Sequence, residues 1–304
     1  HDGAGWRIVR HAVRSMPVRA GAAADPRVIE GVRDVHERVL AHIRTPVATS
    51  EEPIDSRFAL LGPSPVLTIL SDAMRDHASR VLGAPDLPLL TAVAPYKSGG
   101  RAGPENYVTI PAGPLSVRHA ADIYPYPNAL CVLRLTGADI ADWLETAAQA
   151  YAQIERGRHD QPLFDPSIPS YNADVIHGLR YVIDPSRPVG ARIADLRLAD
   201  GTVLTPDRPV LLATNGYRAG GGGSYDAALR GETVYEERQP LRDVLLAWMR
   251  AQGRVVPRAA RVWRFATLEA TGAWFDCGPR HKPGRRGRIS RGSARLRTGS
   301  GAMR

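Results

Sequence analysis

Four amphipathic helical segments are interleaved with short β-type runs, and the absence of strict alternation between them is what most constrains the fold. Apolar residues recur at three- and four-residue steps behind recognisable caps. One segment follows Asp25 and Pro26, a cap and a first-turn proline, with Val28, Val32, Val35, Val39 and Ile43 on one face. A second starts at Ser64 and Pro65, stops near Gly83, and turns Val66, Ile69, Leu70, Ala73, Met74 and Val81 inward. A third opens on Thr136 and Asp139, spaced as a capping box, and carries Ile140, Trp143, Leu144, Ala147 and Tyr151 inward. The fourth runs from about Leu241 to Gln252, with Val244, Leu245, Trp248 and Met249 facing the core. Between them lie the β-type runs Leu130 to Leu135, Leu179 to Ile183, Ile193 to Leu198 and Val210 to Thr214, with a hairpin turn at Asp200-Gly201. Regular alternation would give a doubly wound parallel sheet. This order instead predicts an α+β fold, a mixed sheet core packed with helices.

The net charge of +9 invites a nucleic-acid reading until its location is examined. Nine basic residues and no acid fall between Gly278 and Arg304, and removing those nine from the 40 Lys and Arg leaves as many bases as the 31 acids. The body is neutral and only the tail is basic. With Gly, Ser and Arg but almost no large apolar residues, residues 278–304 are expected to be disordered, because nothing there offsets the entropy of ordering. Apolar runs such as Leu130 to Leu133 fall far short of the roughly 20 residues that cross a bilayer. Cys131 and Cys277 give neither a metal-site spacing nor a disulfide framework.

The unusual chemistry is in the loops. Tyr96-Lys97-Ser98-Gly99-Gly100-Arg101 sets a guanidinium beside two glycines, an arrangement that can hold an anion, although it lacks P-loop spacing and equally suits a surface turn. Tyr124-Pro125-Tyr126-Pro127-Asn128 is stiffened by two prolines and presents an aromatic face with an amide two residues on. Such a loop suits a planar heterocycle, and it equally suits tyrosines that plug a core edge. Thr214-Asn215-Gly216-Tyr217-Arg218-Ala219 leads into the run Gly220 to Gly223, offering a second aromatic tip and a main chain open to close approach. Of the nine histidines, His36 follows Asp34 in an Asp-x-His pattern, but two residues apart on a helix do not share a face, so both belong to a solvated surface. Metal-ligand and nucleophile motifs are absent.

Taken in order, five stretches resemble the C-terminal domain of the 5′-nucleotidase family over Ser56 to about Gly278. They are Ala94-Pro95-Tyr96-Lys97-Ser98-Gly99-Gly100-Arg101, Ile110-Pro111-Ala112-Gly113-Pro114-Leu115, Ala121-Asp122-Ile123-Tyr124-Pro125-Tyr126-Pro127-Asn128, Pro169-Ser170-Tyr171-Asn172, and Ala213-Thr214-Asn215-Gly216-Tyr217-Arg218-Ala219-Gly220-Gly221-Gly222. The branch containing bacterial 2′,3′-cyclic-nucleotide 2′-phosphodiesterase/3′-nucleotidase is the most similar. The resemblance implies a parent in which an N-terminal metallophosphoesterase domain, in cis, holds two divalent metals and hydrolyses the phosphoester while this domain grips the nucleotide or nucleoside. It implies Tyr126 and Tyr217 as a base-stacking pair, Asn128 beside the first, and Gly100 and Arg101 as contacts of the Gly-Gly-Arg loop. Tyr171 and Asn172 become pocket lining, and Arg218 follows the second stacking tyrosine. Where other branches place a ligand-bonding aspartate this chain has Gly223, and His177 stands where Asp is expected, as an exchange in a surface turn.

The expected organisation is thus a linker remnant over 1–24, the nucleotide-binding domain over 25–277 and the basic tail over 278–304. Residues from Trp6 to about Arg19 read as the strand and linker that follow a missing catalytic domain, and no signal peptide is visible in this chain. The family is periplasmic or exported, so export is expected of the parent. This chain itself is expected to hold no cofactor, contact no membrane and remain a monomer. Two rival readings stand beside this one: a nucleic-acid binder that uses the Arg-rich tail, disfavoured by the neutral body, and a catalytically dead relic with a structural role.

Overall fold

A computed structural model describes residues 6, 8, 10–18, 21–99, 103, 105–276 and the strand backbone of 293–297. The chain divides into two compact units, His1–Ile43 and Arg44–Arg304. The first contains helix α1 (Pro26–Ile43), in which the expected apolar stripe is formed but no residue is buried: Val28, Val32, Val35 and Val39 are all exposed.

The second unit is built on a five-stranded mixed sheet ordered Glu232–Pro240, Ala129–Thr136, Pro209–Asn215, Leu89–Val93 and Val175–His177. Pro209–Asn215 runs parallel to Leu89–Val93 and antiparallel to Ala129–Thr136, while Val175–His177 runs antiparallel to Leu89–Val93. The register sets Asn215 opposite Leu130 and Val93 opposite Val175, so two strands finish and two begin at the same end of the sheet. The mixed α+β architecture expected from the order of elements is the one observed. The three central strands are almost wholly buried, as their unbroken apolar runs require.

Helix α2 (Pro65–Val81) packs on the Leu89–Val93 strand, and its Val66, Leu67, Ile69, Leu70, Ala73 and Met74 are all nearly inaccessible, whereas Val81 in its last turn is exposed. Each fully buried side chain of this size contributes about 1.5 to 3 kcal/mol. Ser64 occupies the cap position with Pro65 behind it, but its hydroxyl makes no capping bond. A seven-residue α3 (Val117–Ile123) follows, closed by a reciprocal box between Ser116 and His119. In α4 (Gly137–Ala148) the Thr136 backbone N–H donates to Asp139 Oδ2 at 3.0 Å and the Thr136 hydroxyl accepts from the Asp139 N–H at 3.3 Å, the box predicted from spacing. Two short helices, α5 (Gly216–Ala219) and α6 (Asp226–Leu229), follow the Pro209–Asn215 strand, and α7 (Leu241–Gln252) packs on α2.

A separate small sheet joins Leu179–Ile183 to Ile193–Leu198, and the expected turn follows with Gly201 at φ +92°. His177 is not in a surface turn. It lies in the edge strand with 6% of its surface exposed, and burial pushes its pKa down to about 4. Of the basic tail, Ser293–Arg297 forms a strand antiparallel to Gly272–Asp276, and the remainder lies outside the described residues.

Candidate functional site

The end of the central sheet where strands finish and begin together carries a cavity of about 270 Å³ lined by Tyr96, Tyr126, Asn128, Tyr171, Asn215, Tyr217 and Arg218. The sheet order explains the convergence. Tyr96 follows the Leu89–Val93 strand, Asn215 and Tyr217 end and follow Pro209–Asn215, Tyr126 and Asn128 precede Ala129–Thr136, and Tyr171 precedes Val175–His177. Segments distant in the chain therefore meet because parallel and antiparallel neighbours put opposite strand termini at one edge.

Three of the rings, Tyr126, Tyr171 and Tyr217, expose 38%, 36% and 48% of their surface, unusual for residues gathered around a concavity and open to a flat partner. Tyr126 is held edge-on by Tyr96 and Tyr124, with ring centroids 5.5 and 6.3 Å away and interplanar angles of 77° and 80°. Tyr124 is fully buried and so plugs the core while its neighbour faces out, dividing the two roles open to the Tyr-Pro-Tyr-Pro loop between its tyrosines. Burial, with Tyr171 and Tyr217 nearby, raises the Tyr126 pKa, so the phenol stays neutral. Burial and the neighbouring Tyr124 likewise raise that of Tyr96.

Polar groups reach the cavity in fixed orientations. Asn215 caps α5 by accepting from the Arg218 N–H at 3.0 Å, and its Nδ2 donates to the Tyr96 hydroxyl at 3.3 Å. Asn128 donates weakly to the Tyr124 hydroxyl at 3.4 Å and is pinned by its carbonyl, which accepts from the Leu241 N–H at 2.8 Å. The glycine run serves the aromatic wall rather than the cavity. A Cβ on Gly222 would stand 2.5 Å from Tyr217 Cε2, so the missing side chain is what allows the ring to lie against the run.

Behind the cavity lies a buried ion pair. Arg218 Nε donates to Asp174 Oδ2 at 3.0 Å and Nη2 to Asp174 Oδ1 at 2.9 Å, with only 3% of either side chain exposed. Burial by itself lowers the Arg218 pKa, but the neighbouring Asp174 overrides it and the net shift is upward, so the guanidinium keeps its charge although buried. Trp143 Nε1 also donates to Asp174 Oδ2, at 3.0 Å.

Of the residues singled out by sequence, Tyr126, Asn128, Tyr171, Tyr217 and Arg218 are brought to one cavity. Asn172 is adjacent but turned into the protein, its Oδ1 buried without a hydrogen-bond partner. Gly100 and Arg101 lie outside the described residues. Sequence reasoning missed Tyr96 and Asn215 as lining. Both are quoted within its motifs, but as flanks of a glycine loop and of an aromatic tip, and only the strand register shows that they face each other.

Residues 46–230 match the family model described as 5′-nucleotidase, C-terminal domain. The chain is 32% identical over 272 residues to the trifunctional nucleotide phosphoesterase YfkN of Bacillus subtilis, covering 84% of this chain and 18% of that protein. It is 30% identical over 298 residues to a 2′,3′-cyclic-nucleotide 2′-phosphodiesterase/3′-nucleotidase of Yersinia enterocolitica, covering 89% of this chain and 46% of the relative. The chain thus spans less than half the length of these relatives. Among solved structures, a 5′-nucleotidase precursor from Thermus thermophilus superposes with a TM-score of 0.61 at 18% identity, covering 78% of this chain and 42% of that one. The NAD nucleotidase of Haemophilus influenzae superposes with a TM-score of 0.53 at 15% identity, covering 80% and 42%. The chain belongs to the 5′-nucleotidase C-terminal domain family.

Proposed function

We propose that this chain is the nucleotide-recognition domain of a phosphoester hydrolase acting on 2′,3′-cyclic nucleotides and 3′-nucleotides, with the base stacked between Tyr126 and Tyr217. The observation that carries the reading is the meeting of these two exposed rings in a single cavity with Tyr171 and the Asn128 amide. A flat heterocycle gains about 1 to 3 kcal/mol per aromatic contact, and this gain is tolerant of base identity because every base has a π-face. The Asn128 amide, donor and acceptor both, then reads the edge of the ring. The names of the relatives at about 30% identity support the substrate class. The description of the Thermus thermophilus protein as a precursor fits an exported parent.

Bond breaking would fall to a metallophosphoesterase domain in cis, where two divalent metals would activate the attacking water. Among the described residues no three His, Cys, Asp or Glu side chains gather as a metal site requires. The residues of this chain bind and orient. Calorimetric titration of the chain with adenosine and 3′-AMP tests the reading. Tyr126→Ala and Tyr217→Ala are each expected to weaken binding by about 1 to 3 kcal/mol, and affinity unchanged in both variants would refute the clamp.

A further inference from the structure

We propose that Arg218 and Asp174 act as positioning residues, a latch that holds the Tyr171 and Tyr217 walls of the cavity at a fixed separation. The donor count of Arg218 carries the inference. A guanidinium has five N–H donors, and four are committed inside the protein: Nε and one Nη2 donor to Asp174, the other Nη2 donor to the Tyr171 carbonyl, and one Nη1 donor to the Gly222 carbonyl at 2.8 Å. The two carbonyls belong to the two wall segments, one in the short 3₁₀ turn Ser170–Asn172 and the other in the glycine run beneath Tyr217. One planar side chain thus ties together segments that are otherwise separate loops, and its own orientation is set by the two oxygens of Asp174.

Two further contacts close the latch. The guanidinium lies 4.2 Å from the centroid of the buried Tyr225 ring and 5.5 Å from that of Tyr217. The Tyr225 hydroxyl donates to the Asn172 carbonyl at 2.6 Å, so the 3₁₀ turn is gripped from both sides. Gly223, at φ +79°, completes the fit. A Cβ built there would stand 2.5 Å from Asn172 Oδ1 and closer still to Arg218 Nη1, so a side chain at 223 would have to displace the Arg218 or Asn172 side chain. Lys cannot replace Arg here, because a single ammonium does not reach a carboxylate and two divergent carbonyls in one plane.

The consequence for ligand affinity rests on the reading of the cavity as the nucleoside site, whereas the latch itself is tested without ligand. Amide hydrogen exchange is measured on the full chain, on Arg218→Lys, and on the double variant Arg218→Met with Asp174→Leu, which leaves no buried charge unpaired if the single change fails to fold. The Asn172, Ala173, Gly221 and Gly222 amides are hydrogen-bonded within their segments and report on each. Faster exchange in both segments together, with the Ala129–Thr136 strand still protected, is the expected result. Acceleration in neither segment, or in one alone, overturns the latch. In a parallel titration with adenosine, carried out well below each variant's unfolding temperature, Arg218→Lys is expected to lose affinity by about tenfold. Wild-type affinity in a variant whose two segments exchange rapidly overturns the positioning role. A parent chain that takes up no nucleoside counts against the cavity reading alone, and exchange then decides the latch.

Discussion

His177 stands in the edge strand of the central sheet near Asp72 and Arg75 of α2, and burial holds its imidazole neutral, with a pKa pushed from 6.5 to about 4. The unfolded chain binds a proton at higher pH than the folded one, so stability is fully present above pH 6.5 and drains away as pH falls toward 4. The full loss is about 3 kcal/mol, each pKa step being worth about 1.4 kcal/mol. His177→Gln is expected to flatten that part of the profile, as measured by urea midpoints across pH 7 to 4.5. Glu237 offers a control, since hydrogen bonds from Tyr235, the backbone and His77 lower its pKa to about 2 and confine its contribution to more acid conditions. The burial of His177 was not legible in the sequence, where the residue preceding a glycine reads as part of a turn. Gly178 does turn the chain, but the strand ends only at His177, and its side chain faces the interior. Tyr126 and Tyr217 were legible because proline and glycine chemistry in their loops marked them out, and Asp174 was not, because an aspartate beside Val175 reads as a strand cap until its partner is known.

Helices were readable where caps and period agree, and α4 is the clearest example. Its reciprocal Thr136–Asp139 box is reinforced by Arg230, whose Nε donates to Asp139 Oδ1 at 2.6 Å. Thr136→Ala is expected to cost about 1 kcal/mol, read as a lowered urea midpoint with an unchanged slope. Two kinds of element escaped. Helix α3, at seven residues, is too short for a period to emerge. The Glu232–Pro240 strand is an edge strand in which Glu232, Glu236, Glu237 and Arg238 are charged, protective against edge-to-edge pairing but devoid of the apolar alternation by which strands are recognised. For α1 the period specified the helix correctly and said nothing of whether its stripe would be covered, since burial depends on a neighbour rather than on the segment itself.

At the scale of the molecule, charge and recognition are segregated. The body balances its charges while the basic residues concentrate past Gly278, so ending the chain at Asp276 is expected to abolish salt-sensitive retention on heparin. Nucleoside affinity in the same truncated chain should stay within about twofold of the parent in calorimetry, because no residue lining the cavity lies past Asp276. The five cavity-lining positions that sequence motifs had singled out were recognisable one by one, whereas their meeting was not, because it follows from a strand order that only long-range pairing decides. That common edge also separates two kinds of evolutionary freedom. Every group facing the cavity hangs from a strand terminus while the strands themselves are packed away from it, so loops can be exchanged to suit a new ligand without rebuilding the scaffold, the two joined through Arg218 changing only as a pair.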